Sequence, residues 1–187
     1  MKNVANCRRS VGQMLCLVAG AVVLFGSSAQ AATSPSVQIN FTGNYVAASC
    51  TVAGDANQLV TLPTISTQSL NAAGQTAGST MFTIPVKCDS GVPYVRVYFE
   101  SGATTAATTG NLNLTSVSGK VSAGGVQVQL QNVDGTLIKV GDRSTMKIVT
   151  VNTTDSMPIS FIARYYATGA STAGVVQTYV TYVLEMP

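Results

Sequence analysis

Histidine is absent from all 187 residues, and charged residues make up only 9% of them. Without an imidazole, catalysis by a Ser-His-Asp or Cys-His set is excluded, and so is a histidine-ligated metal. A Ser–Lys pair or a carboxylate pair such as Asp134 with Asp142 is conceivable, but Asp134 stands beside Gly135, where aspartate is ordinary turn chemistry. There is no Gly-x-Ser-x-Gly motif and no phosphate-binding loop. The residues therefore point to a protein that is not an enzyme, with no cofactor and no metal.

Long apolar runs are missing too, except at the front. Lys2, Arg8 and Arg9 form a basic start, residues 11–25 are nearly all apolar, and Ala29-Gln30-Ala31 offers a small-x-small cleavage site. This three-part pattern predicts a signal peptide over 1–31 and a mature chain from Ala32. As a membrane span the run is short of the ~20 residues needed, and Gln13 interrupts it. The full chain has ten basic and seven acidic residues, and three of the basic ones lie in the leader. Seven of each sign remain, scattered, so capture of nucleic acid or anionic lipid has no support. Cysteine is equally sparse. Cys7 and Cys16 leave with the leader, and Cys50 and Cys88 remain. A lone pair in an exported chain is most simply a disulfide, and closing that loop contributes about 3–4 kcal/mol on the chain-entropy view.

What is abundant is glycine, serine and threonine between short runs of alternating apolar residues. No sustained helical period interrupts them. This is the pattern of a single all-β domain, a sandwich or barrel. It predicts strands near 45–52, 59–62, 81–87, 95–100, 111–115, 126–132, 146–151, 159–166 and 179–186, with a hairpin at Asp134-Gly135 leading into 136–140 and a mobile loop at 101–110. The two ends stand out. At the back, Val180, Tyr182, Leu184 and Met186 share one face of a strand that has no later strand to pair with. At the front, Val37, Ile39 and Phe41 alternate with Gln38, Asn40 and Thr42.

The chain resembles the subunits of chaperone–usher fimbriae of Gram-negative bacteria, the type 1 and P-pilus-like pilins. Gly174 stands fourteenth from the end, the position of that family's tail glycine, with Val180, Tyr182 and Leu184 at the alternating positions after it. Gly43-Asn44-Tyr45-Val46, ending in Ser49-Cys50-Thr51-Val52, is similar to the family's first strand. Val60, Leu62, Ile65, Leu70 and Gly74 fit the next block, and Phe82, Ile84, Val86 and Cys88 fit the strand with the second cysteine. Val126 to Leu130, followed by Asp134-Gly135, resembles the central hairpin. Two positions depart: Met186 stands for the usual penultimate tyrosine, and Pro63 for a usual glycine.

The resemblance implies an incomplete immunoglobulin-like β-sandwich at 44–187, whose seventh strand is missing and supplied in trans, preceded by a donor-strand arm at 32–43. Val37, Ile39 and Phe41 would be the donor residues. Gly174, Val180, Tyr182, Leu184 and Met186 would form the acceptor groove and pair with a chaperone. Expected partners are a periplasmic pilus chaperone, an outer-membrane usher, neighbouring pilin subunits in a head-to-tail polymer, and a host receptor reached through the assembled fibre. The expected place is the surface fimbria, reached through the periplasm, with adhesion and biofilm formation as its service. The short unbroken arm resembles those of minor, adaptor-type subunits. The competing reading is a receptor-binding tip subunit, with Tyr94, Tyr98, Tyr165 and Tyr166 as candidates for a binding face.

Overall fold

The computed structural model describes residues 39–43 and 47–187. The leader, Val37 and most of the arm lie outside the described residues, as do 44–46 at the start of the first expected strand. The chain divides into two units, Met1–Gly43 and Asn44–Pro187. In the first, Ile39 and Phe41 are exposed, at 73% and 91%.

Among the described residues, the second unit has eight antiparallel strands in two sheets: β1 (Cys50–Val52), β2 (Thr76–Cys88), β3 (Tyr94–Phe99), β4 (Gly124–Asn132), β5 (Leu137–Ile138), β6 (Val149–Thr150), β7 (Met157–Thr172) and β8 (Tyr182–Glu185). The larger sheet runs β1-β2-β7-β4-β5 and the smaller β6-β3-β8. Alternation explains the layering. Met157, Ile159, Phe161, Ala163, Tyr165 and Ala167 of β7 point inward and are buried, as do Ile84, Val86 and Cys88 of β2. Val95, Val97 and Phe99 of β3 close on them from the other sheet. Phe161 anchors the middle, edge-on to Phe99 at 5.0 Å and beside Phe82 at 5.6 Å. Cys50 and Cys88 are cross-strand partners of β1 and β2 and are joined in a disulfide.

Several expected strands are shorter or absent. Residues 59–62 have strand-like composition but pair with nothing among the described residues, and Leu59 is almost fully exposed. Residues 111–115 reduce to bridges at Leu112, because the backbone groups of Asn111, Asn113 and Thr115 bond instead to Ala106, Thr104 and Gln177. Within 146–151 only Val149–Thr150 pairs, since Met146 ends a 3-10 turn and receives the Phe99 N–H on its sulfur at 3.3 Å. The loop at 101–110, expected to be mobile, is packed: Thr104 and Ala106 are buried, and Ala106 exchanges backbone bonds with Asn111 and Gly110. In the other direction, β2 and β7 extend past the expected limits through a bulge at Gly78, whose φ of +64° and missing Cβ let the Tyr165 ring lie against the backbone.

Candidate functional site: an open groove

The expected strand at 179–186 is a ladder strand only over Tyr182–Glu185, and the reason defines the site. Upstream, residues 175–181 are held along one edge. The Thr115 N–H donates to the Gln177 carbonyl at 2.7 Å, the Thr104 hydroxyl to that of Tyr179 at 2.7 Å, and the Glu100 N–H to that of Thr181 at 2.9 Å. Backbone groups alternate in direction along an extended chain, so those of Thr178, Val180 and Tyr182 turn the other way. Among the described residues, no backbone group bonds to Val180 on that side. The facing segment, 56–62, likewise has no backbone–backbone bond among the described residues, and the Tyr182 hydroxyl spans the gap at one end to reach the Ala56 carbonyl at 3.1 Å.

Between these edges lies a groove of 770 Å³. Its floor is the hydrophobic core itself: Phe82 and Ile84 of β2, Val128 and Leu130 of β4 with Leu112 bridged to Val128, and Ala163 and Tyr165 of β7. Two open rows of hydrogen-bonding groups thus flank a trough of apolar side chains. Burial pushes the Tyr165 and Tyr182 hydroxyls above their usual ionisation range, so both are neutral donors at any physiological pH.

Of the tail residues singled out by alternation, the groove brings together Val180 and Tyr182. Leu184 shares their face but lies beyond the trough, opposite Val97 and packed on the core. Met186 is half exposed and does not line it. Gly174 does not line the trough but directly precedes its rim at Val175. A Cβ at this position would run into the backbone of Ser122 and Ala123, where Ser122 and Val175 form a parallel bridge. Its glycine lets the tail cross close to that loop and enter the rim. Sequence alone gives no sign of the second rim at 56–62 or of most of the floor, which come from strands distant in the chain. Below the groove, Glu185 fixes the end of β8. Partial burial raises its carboxyl, but hydrogen bonds from Arg96 at 2.7 Å and Arg143 at 2.7 Å outweigh that and hold it below the ordinary range. Arg143 also lies 4.1 Å from the Tyr98 ring centre.

Asp134 and Asp142 each cap their own turn, accepting bonds from Thr136 and Ser144. No cluster of metal-ligating side chains occurs among the described residues. No helix among them is long and apolar enough to cross a membrane. The four tyrosines separate: Tyr165 is buried, Tyr94 and Tyr98 share the outer face of β3, and Tyr166 lies on the outer face of β7.

Residues 39–186 match the family described as Fimbrial protein. The chain belongs to that family. The curated relatives agree: the F17 fimbrial protein of Escherichia coli is 39% identical over 87% of this chain and 93% of its own length. The major fimbrial subunit SMF-1 of Stenotrophomonas maltophilia is 34% identical over 82% of this chain and 94% of its own. A subunit from a solved chaperone–usher pilus, determined in a study of how its rod uncoils, superposes with a TM-score of 0.57 over 84% of this chain and 100% of that one, at 17% identity. That likeness shows the fold, an immunoglobulin-like sandwich of the pilin kind. This fimbrial subunit is accordingly a structural component of a surface fimbria.

Proposed function

We propose that this fimbrial subunit polymerises by donor-strand exchange, its groove taking up the arm of a neighbouring copy. The observation that carries the reading is the trough between residues 56–62 and 175–182, open along both backbone edges and floored by the core. A strand laid there bonds to both rims and covers the floor with alternate side chains. Strand addition at a sheet edge works this way, and chaperone–pilin complementation is an established instance of it. Val37, Ile39 and Phe41 have the period-two spacing for one face of such a strand. Burying each fully contributes about 1.5–3 kcal/mol before the cost of ordering a free arm. The rim spans eight residues, so a donor of comparable length, about 25 Å extended, fills it.

Donor and acceptor sit on different molecules, so the contact is head-to-tail and propagates as a filament. Before assembly the trough needs a temporary occupant, and a periplasmic pilus chaperone lending its own strand fills that need. An outer-membrane usher then exports the growing fibre, which serves adhesion and biofilm formation and presents whatever receptor-binding function the assembly has. Deleting residues 32–41 tests the arm. The expected outcome is a truncated subunit recovered with its disulfide formed but capping fibres, donating to no neighbour. Normal polymer made only of truncated subunits would defeat the donor-arm assignment.

A further inference from the structure

We propose that the outer face of the larger sheet, centred on Arg164, is a lateral contact between copies of this chain, in which the arginine takes up a carboxylate of the neighbouring copy. The face is separate from the groove. Arg164, Ile162 and Tyr166 point outward from β7; their cross-strand partners Gln129, Gln131 and Gln127 lie beside them on β4, and Met81 lies beside Ile162 on β2. Met81 is 64% exposed, and Ile162, Arg164 and Tyr166 are half-buried. Methionine, arginine and tyrosine are the residues that protein interfaces favour.

The arginine is pre-organised and uncompensated. Its Nε and Nη2 donate to Gln129 Oε1 at 2.9 and 2.7 Å. Gln129 is itself buried and held through Asn111, Gln127 and Asn113 in a chain of side-chain amides. A guanidinium has five N–H donors, so three remain, held in one orientation by a neutral partner. Of the three arginines among the described residues, Arg96 and Arg143 pair with Glu185, and Arg164 has no ion pair. No residue on the rungs around it is acidic. Partial burial pushes its ionisation down.

A second copy supplies that charge. Asp55, Asp89 and Asp155 are exposed and form no ion pair among the described residues. Two Arg164 faces would repel each other, so the contact joins this face to a different surface that carries one of these aspartates. Such heterologous contacts are compatible with an open fibre and not with a closed symmetric dimer. Carboxylate recognition is also what a fixed guanidinium fork does best.

The test uses intact fimbriae carrying a photo-reactive benzophenone amino acid in place of Met81, an exposed position that leaves Arg164 unchanged. Irradiation should give a cross-linked pair of this chain whose second peptide contains Asp55, Asp89 or Asp155. Adding Arg164→Gln should reduce that product by about tenfold, as loss of an interfacial charge pair worth at least 1.4 kcal/mol requires. Cross-links only to another protein, no cross-link at all, or a product indifferent to Arg164→Gln would each overturn the proposal. The ladder of head-to-tail polymers on the same gel reports the groove independently, so failure of one contact is distinguishable from failure of the other.

Discussion

Strand β7 and the tail at 175–182 carry the same sequence pattern and have opposite fates. Both alternate apolar and polar residues, and both set their apolar face on one core. Strand β7 is paired on both edges, to β2 and to β4. The tail is bonded along one edge and open along the other. Alternation therefore reports which face is buried, whereas pairing depends on whether another segment is present to share the edge. The groove is the place where, among the described residues, that edge finds no partner.

The contrast can be broken most forcefully at Phe161, midway along β7 and 4% exposed. Phe161→Ala should cost about 3–5 kcal/mol whether or not a strand fills the groove, because its contacts to Phe82 and Phe99 belong to the domain itself. Chemical denaturation of chaperone-bound and assembled subunit should show similar losses. Val180 should behave differently. Val180→Ser should cost about 1.5–3 kcal/mol in the strand-filled state, where its side chain is covered, and under about 1 kcal/mol in the open domain. Equal losses in both states would mean that the tail rim is not completed by a strand.

Much of the fold is legible in the sequence, and the gaps have physical causes. The inward faces of β2, β4 and β7, the hairpin at Asp134-Gly135 and the Cys50–Cys88 bond are all readable, because local periodicity and cysteine economy specify them. Val180 and Tyr182 are marked by the same alternation, and both line the groove. The second rim looks like an ordinary strand at 59–62, since nothing local distinguishes a paired edge from an unpaired one. Ala163 and Leu130 are readable as inward-facing but not as a groove floor, because that floor is a long-range coincidence of strands. Gly174 is visible as a special position, but the close approach of Ser122 and Ala123 that requires it is not.

Smaller effects sharpen the same picture at its margins. Glu185→Gln weakens the double clasp that ends β8, and the melting temperature should fall by roughly 2–5 °C, with most of the difference disappearing in high salt. Asp134 lies outside the groove contrast and serves as a control. The Thr136 hydroxyl and N–H, with help from Lys147, hold its carboxyl down at about 2 from an ordinary 3.8. A depressed carboxyl stabilises fully above pH 3.8 and loses that contribution as pH falls through about 2. The Asp134 carboxyl and Thr136 amide resonances should titrate together there, and Asp134→Asn should remove the transition without altering fibre assembly.

The most direct measurement appends a copy of residues 32–43 after Pro187 through a flexible linker and compares it with a copy whose three donor residues are serine. The apolar copy should fill the groove within one molecule, raise the thermal midpoint well above that of the serine copy, and slow hydrogen exchange of the Val180 and Tyr182 amides. Identical midpoints and unprotected amides in both would contradict the reading of the groove as a strand acceptor.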